Sequence, residues 1–203
     1  METPYLKALL LSGGIDSSAL AFLIRPDYAF FIDYGQKPAR REEYVAKLIA
    51  NDLSIPFEAI SVDCSAIGSG DLSNRKRLHG FGDSDLTEWW PFRNQLLLTL
   101  AAPLALELGV KELVFGSVKS DSHYKDGTIN FFNAIRELFK SQEGELSIST
   151  PAINLSSVEL VKKSEIPLSI LGWTHSCHIS NEACGLCRGC EKHLDILQSL
   201  NVT

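Results

Sequence analysis

The stretch LKALLLSGGIDSSAL, residues 6–20, constrains this chain more than any other. An apolar run, interrupted only by Lys7, leads into two glycines, an aspartate and two serines, and then into apolar residues at helical spacing. A run without alternation reads as a strand covered on both faces. Ending it at Ser12-Gly13-Gly14 leaves backbone N–H groups free, because glycine accepts unusual dihedrals and lets a ligand approach the main chain. The helix that starts near Asp16 to Ser18 adds unpaired N–H groups and the positive end of its dipole. Together these form a site for phosphate or pyrophosphate. Ser12, Ser17 and Ser18 add hydroxyl donors. Asp16 would repel a bare phosphate, so it reads as a ligand of Mg²⁺ between phosphates, or as a helix cap. The turn is neither GxxxxGK[ST] nor GxGxxG.

The rest of the chain alternates strand and helix. The pattern predicts strands at Tyr5–Leu11, Tyr28–Ile32, Phe57–Val62, Leu113–Gly116 and Ser147–Thr150. It predicts helices from the glycine turn to Ile24, then at Lys37–Asp52, Pro91–Leu108, Ile129–Lys140, Ser156–Lys163 and Arg188–Leu200. Residues 63–90 read as a long loop, which in a compact domain is usually a functional or a mobile feature. This order implies an α/β fold: a doubly wound parallel sheet with helices on both faces. The expected division is residues 1–170 for that sheet domain and 171–203 for a C-terminal segment. Ligands of such sheets sit beyond the carboxyl ends of the strands. Three strand ends are polar: Ser12-Gly13-Gly14, Asp33-Tyr34-Gly35-Gln36 and Gly116-Ser117. They outline one site.

The C-terminal segment holds Cys177, Cys184, Cys187 and Cys190, four of the five cysteines, within 14 residues. Four thiolates so gathered suit tetrahedral Zn²⁺ in a closed, structural site. The spacing also admits a [4Fe–4S] cluster. His175, His178 and His193 lie nearby and read as side chains that are solvated or that hydrogen-bond the metal's ligands, and Cys64 as a small packing residue. A net charge of −6 argues against a chain-wide nucleic-acid surface, so no nucleic-acid partner is expected. The opening METPYLK lacks a basic n-region and no apolar run reaches ~18 residues, so the expectation is a cytoplasmic protein with no membrane partner.

The order SGGxDS loop, then DYGQ after the second strand, then PFRN, LVFGSVKSDS and CHISNEACGLCRGC, resembles the QueC family of 7-cyano-7-deazaguanine synthases. These belong to the N-type ATP pyrophosphatases. The similarity runs over nearly the whole chain. It implies ATP, Mg²⁺ and structural Zn²⁺ as cofactors. It implies an ATP-dependent ligase that adenylates the carboxylate of 7-carboxy-7-deazaguanine and, with ammonia, passes through the amide to the nitrile. The nucleotide set so implied is Leu10, Leu11, Ser12, Gly13, Gly14, Ile15, Asp16, Ser17, Ser18, Asp33, Gln36, Asn94 and Gly116. The substrate set is Tyr34, Phe92, Arg93, Asp121 and Asp126, with Asp16, Arg93 and Asp121 as catalytic residues. Arg93 suits a carboxylate or phosphate, while Asp121 and Asp126 suit the N–H donors of a deazapurine. Members are often dimers, so a homodimer is implied.

Departures fall around the acceptor. The family's Thr-Lys-x-Glu string reads Ser156-Ser157-Val158-Glu159 here, without the lysine. Lys162 or Lys163, one turn on, are the replacements at hand, though neither falls in register. The Pro-Asp-Cys-Arg substrate loop is reduced to Lys125-Asp126-Gly127-Thr128, and His175 replaces a tryptophan. Two alternatives follow: a paralogue joining the adenylated carboxylate to another amine, such as one on a protein, or a non-catalytic ATP-binding sensor or scaffold. A tRNA-thiolating relative would need a reactive cysteine near the loop, for which Cys64 is the sole candidate outside the cluster.

Overall fold

Continuous apolar runs with alternate side chains pointing to opposite faces need cover on both sides. The computed structural model, which describes residues 5–75 and 87–201, gives them that cover. Five strands, β1 (Leu6–Leu10), β2 (Tyr28–Asp33), β3 (Phe57–Ser61), β4 (Val110–Val114) and β5 (Ser147–Ser149), form one parallel sheet in the order β3-β2-β1-β4-β5. Leu9 pairs with Ala29 on one side and Val114 on the other, which places β1 at the centre.

The alternation along β1 and β2 divides the core. Leu9, Leu11 and Phe31 face a layer built from α1 (Ile15–Ile24), α2 (Ala39–Asp52) and α5 (Ser157–Ser164). Ala8, Leu10 and Phe30 face α3 (Arg93–Glu107) and α4 (Ile129–Lys140). A four-residue helix, α6 (Leu168–Leu171), which the periodicity did not suggest, precedes the cysteine segment. The last helix, α7 (Arg188–Ser199), returns to the first layer, with Ile196 entering its core.

Among the boundaries that differ from expectation, two have a plain physical reason. β4 begins at Val110 rather than Leu113. Gly109, at φ +72°, reverses the chain directly after α3, and the polar Lys111 and Glu112 are carried in the strand, where Glu112 pairs with Lys7 at 3.4 Å. α2 begins at Ala39 because Pro38 occupies its N-cap. Part of the expected loop, residues 76–86, lies outside the described residues. No helix among the described residues is long and apolar enough to cross a membrane.

The strand order reverses between β1 and β4. Loops leaving these neighbours diverge and open a crevice at the carboxyl edge of the sheet. The SGG turn after β1 and the Gly116–Asp121 segment after β4 flank it.

Candidate active site

A cavity of about 700 Å³ occupies that crevice. Its first wall is the turn. Gly13 sits at φ +73°, and a Cβ there would stand 2.7 Å from the Glu42 carbonyl, so both backbone conformation and packing on α2 require glycine. Gly14 caps α1 in an extended conformation with no side-chain hydrogen bond, leaving the first N–H groups of α1 without a capping side chain. Ser17 and Ser18 donate to the Gly14 carbonyl at 3.1 and 2.7 Å, and the Ser12 and Ser17 hydroxyls meet at 3.0 Å. The C-terminal segment holds the turn in place, because the His175 N–H donates to the Gly13 carbonyl at 2.9 Å.

Charge in the cavity centres on a trio drawn from three distant segments. Lys192, on α7, donates to Asp16 Oδ2 at 2.7 Å, and its ammonium lies 3.8 Å from Asp121 Oδ1. Asp16 Oδ1 is buried with no partner among the described residues. Burial raises the Asp121 carboxyl, and Lys192 and the Val118 N–H partly offset that rise. Burial alone would lower the Lys192 pKa, but Asp16 and Asp121 outweigh it and raise it. Lys162 and Lys163, the replacements suggested for the missing lysine, sit exposed in the last turn of α5, away from the cavity wall. Among the described residues, the ammonium in the cavity is that of Lys192. The hydroxyl of Ser157, at the position of the family's lysine, is buried in the same wall without a partner among the described residues.

A second wall comes from α3 and its approach. Burial works against the Arg93 charge, but Tyr34, Asp126, Asp121 and Tyr124 outweigh it and raise its pKa. Tyr34 packs edge-on to buried Trp90, ring centroids 4.9 Å apart, and burial pushes its hydroxyl pKa up. Glu42 reaches the cavity from α2, and burial pushes its carboxyl up to about 7, moderated by a hydrogen bond from Gln36 Nε2 at 2.9 Å. Glu88 and Arg188 join at 3.1 Å across the opening of α7.

Most sequence-predicted site residues converge here: Leu10, Leu11, Ser12, Gly14, Ile15, Asp16, Ser17, Tyr34, Gln36, Arg93, Asn94, Gly116 and Asp121 all line the cavity. Five stand outside its lining. Gly13 packs on α2 and Ser18 is enclosed beneath the turn. Asp33 turns back to accept the Gly35 N–H at 2.9 Å. Asp126 accepts the Asn94 N–H at 3.3 Å, while its own carbonyl holds the Asn94 side chain at 2.9 Å. Phe92, at φ +58°, points to solvent and is 77% exposed. Gln36 lines the cavity, but its polar atoms are engaged: Oε1 takes the Tyr34 N–H, and Nε2 serves Ile32 and Glu42. Sequence reasoning missed Lys192, Glu42, Glu88, Tyr124 and Arg188.

The four cysteines form a separate group. Their sulfurs all lie within 4.8 Å of one another, with Cys184–Cys190 at 3.8 Å and Cys177–Cys187 at 3.9 Å. A tetrahedron with metal–sulfur bonds of about 2.3 Å has edges of about 3.8 Å, so the set fits one ion. A cubane binds each thiolate to a different iron and would hold the sulfurs farther apart. Backbone N–H groups of Leu186 and Cys187 point at Cys184 and pull its thiol down to about 6, whereas burial raises Cys187 and takes Cys190 up to about 12. His178 serves this group through its backbone, donating to Cys187 Sγ at 3.4 Å. Gly189 lets α7 approach closely, since a Cβ there would collide with the Ser176 carbonyl and the His178 ring.

A doubly wound parallel sheet with an SGGIDS turn at its switch point, opening on a cavity with paired acidic and basic groups, defines a protein of the PP-loop type. Over residues 7–201 the chain matches the family described as Queuosine biosynthesis protein QueC, and it belongs to that family. It is 32% identical to the 7-cyano-7-deazaguanine synthase of Campylobacter concisus, covering 95% of this chain and 93% of the relative. It is 33% identical to that of Campylobacter curvus (91% and 89% covered) and 31% identical to that of Methanospirillum hungatei (95% and 94%). The fold is similar to that of NMN synthetase from Francisella tularensis, with a TM-score of 0.50 and 18% identity over 97% of this chain and 77% of that one.

Proposed function

We propose that this chain uses ATP to activate the carboxylate of 7-carboxy-7-deazaguanine and, with ammonia, converts it through the amide to 7-cyano-7-deazaguanine. A carboxylate is a poor electrophile until one oxygen becomes a good leaving group. In the first step a carboxylate oxygen bonds to the α-phosphorus as the bond to pyrophosphate breaks. Ammonia then adds to the acyl carbon, AMP leaves and a proton is lost, giving the amide. A second adenylation, on the amide oxygen, lets AMP leave with that oxygen while the nitrogen loses its protons.

The observation that carries this reading is the arrangement at the switch point: the uncapped start of α1, Asp16 with one oxygen to spare, and Lys192 facing them. The protein's task is to position and neutralise anions. The α1 N-terminus with Ser12 and Ser17 suits the departing pyrophosphate. Lys192 balances Asp16 and Asp121 and is placed to meet the phosphates. Arg93 suits the substrate carboxylate. Mg²⁺ would be held by Asp16, whose orphaned oxygen fits a hard cation, and would supply charge neutralisation at the phosphates. The four thiolates would hold structural Zn²⁺ and so fix α7 against the turn. Free ammonia, present with ATP in the cytoplasm, is the nitrogen source.

The test is pyrophosphate release from MgATP by zinc-loaded protein, with 7-carboxy-7-deazaguanine and with or without ammonium, products identified by mass spectrometry. A nitrile product is expected. An adenylate that is trapped only by another amine, such as one on a protein, would move the acceptor. ATP binding without pyrophosphate release would overturn the enzymatic reading in favour of a nucleotide sensor.

A further inference from the structure

Glu88 is 6% exposed and stands just ahead of α3 in the cavity wall. Its Oε1 accepts from Arg188 Nη1 at 3.1 Å, while its Oε2 is buried with no partner among the described residues. A buried carboxylate oxygen left unpaired is costly, and such a group facing a cavity signals a donor that arrives with the ligand. The Tyr124 hydroxyl stands beside it, its pKa raised by burial and then by the neighbouring Glu88, and neither that hydroxyl nor the His178 Nδ1, both buried in this wall, makes a close hydrogen bond among the described residues.

A phosphate is excluded as the missing partner, because Glu88 would repel it. The unmet need is for N–H donors on a flat ring that Tyr124 and His178 can border. Carboxylates take adjacent, parallel N–H groups well, as they do from a guanidinium, and an oxygen already bonded to Arg188 keeps a second lone pair. The two aspartates expected to serve this purpose are otherwise engaged: Asp126 lies outside the cavity lining, and Asp121 Oδ2 takes the Val118 N–H at 2.9 Å. We infer that Glu88 is the residue that reads the ring N–H and 2-amino edge of the deazaguanine, with Arg188 holding it in place from α7. This rests on the substrate reading above and names its specificity-determining group.

The experiment compares kcat/KM for pyrophosphate release with 7-carboxy-7-deazaguanine and with the analogue lacking the 2-amino group, in wild type, Glu88→Gln and Arg188→Gln. Wild type should prefer the amino-bearing substrate about 10- to 100-fold, the range of one hydrogen bond to a buried charge. Glu88→Gln should lose that preference through the amino-bearing substrate, with MgATP affinity by calorimetry within about twofold of wild type. An undiminished preference in Glu88→Gln would overturn the inference. Arg188→Gln, which frees Glu88 from its tether, should lose part of the same preference, and a preference lost in Arg188→Gln but kept in Glu88→Gln would reduce Glu88 to a strut for α7. Absence of turnover by wild type with either compound would overturn the substrate reading itself.

Discussion

Replacing Lys192 with methionine removes the charge but keeps most of the stem. Asp16 and Asp121, held 2.7 and 3.8 Å from the ammonium, then face one another across the cavity without a counter-ion. A hydrogen bond between charged groups contributes about 1.5–3 kcal/mol. The lysine side chain is 35% exposed, so water recovers part of that, and a loss of about 1–2 kcal/mol is expected. For a chain of this size that lowers Tm by about 2–8 °C. The effect on chemistry should be larger. A positioned donor aimed at developing charge contributes about 10²–10³ in rate, and pyrophosphate release at 25 °C, well below Tm, should fall by that amount. Lys192→Arg should recover part of it. Wild-type pyrophosphate release and an unshifted Tm in Lys192→Met would refute the reasoning, for the ammonium would then be an incidental surface charge.

Asp16→Asn should abolish pyrophosphate release while Tm falls by no more than in Lys192→Met, since the amide keeps an acceptor for Lys192; thermal melts beside the rate assay check both. Glu42, raised to about 7 by burial, binds its proton more tightly folded than unfolded, so its contribution is full below about 4.5 and lost as pH rises toward 7. Urea titrations should show Glu42→Gln flattening the fall in stability between pH 5 and 8 by about 2–3 kcal/mol. Stripping the cysteine cluster with a chelator should stop pyrophosphate release and lower Tm, with restoration by Zn²⁺ followed by metal analysis; retained activity in metal-free protein would count against the cluster as a clamp on α7.

The sheet was legible because the two central runs, residues 8–11 and 29–32, are short and apolar, as buried parallel strands must be, and because Gly13-Gly14 marks where the first one stops. The cysteine group was legible from spacing alone. Lys192 was not. It meets Asp16 across 176 residues of chain, and a lysine two places after a cysteine reads as a solvated helix face. Glu88 and Arg188 are likewise 100 residues apart. The polar stripe of α7, Arg188, Lys192, Asp195 and Ser199, has the helical spacing of a water-facing surface, yet it lines the cavity. Periodicity tells that a face is polar, and only the fold tells what that face meets. Asp33, Asp126 and Gln36 show the converse, since polar residues at strand ends and loops are as readily consumed by turns as offered to ligands.

The cysteine group and the chemistry meet in α7. This helix has 12 residues, of which Gly189, Cys190 and Ile196 are buried, and apolar packing holds its far end through Ile196, with Leu197 and the following Leu200 partly buried beside it. Its near end is fixed by Cys187 at the N-cap and Cys190 one turn in, both members of the cluster. Between these two anchors stand Arg188 and Lys192, one turn apart on the cavity face, the first holding Glu88 and the second Asp16. Apolar packing at the far end alone would leave the near end free to swing by an ångström or more, which is enough to break a 2.7 Å contact. An ion held between the four thiolates would remove that freedom at the end where both cations emerge. On the proposed function the cluster would therefore act on catalysis without touching a substrate, by setting where two side chains of its own helix can reach.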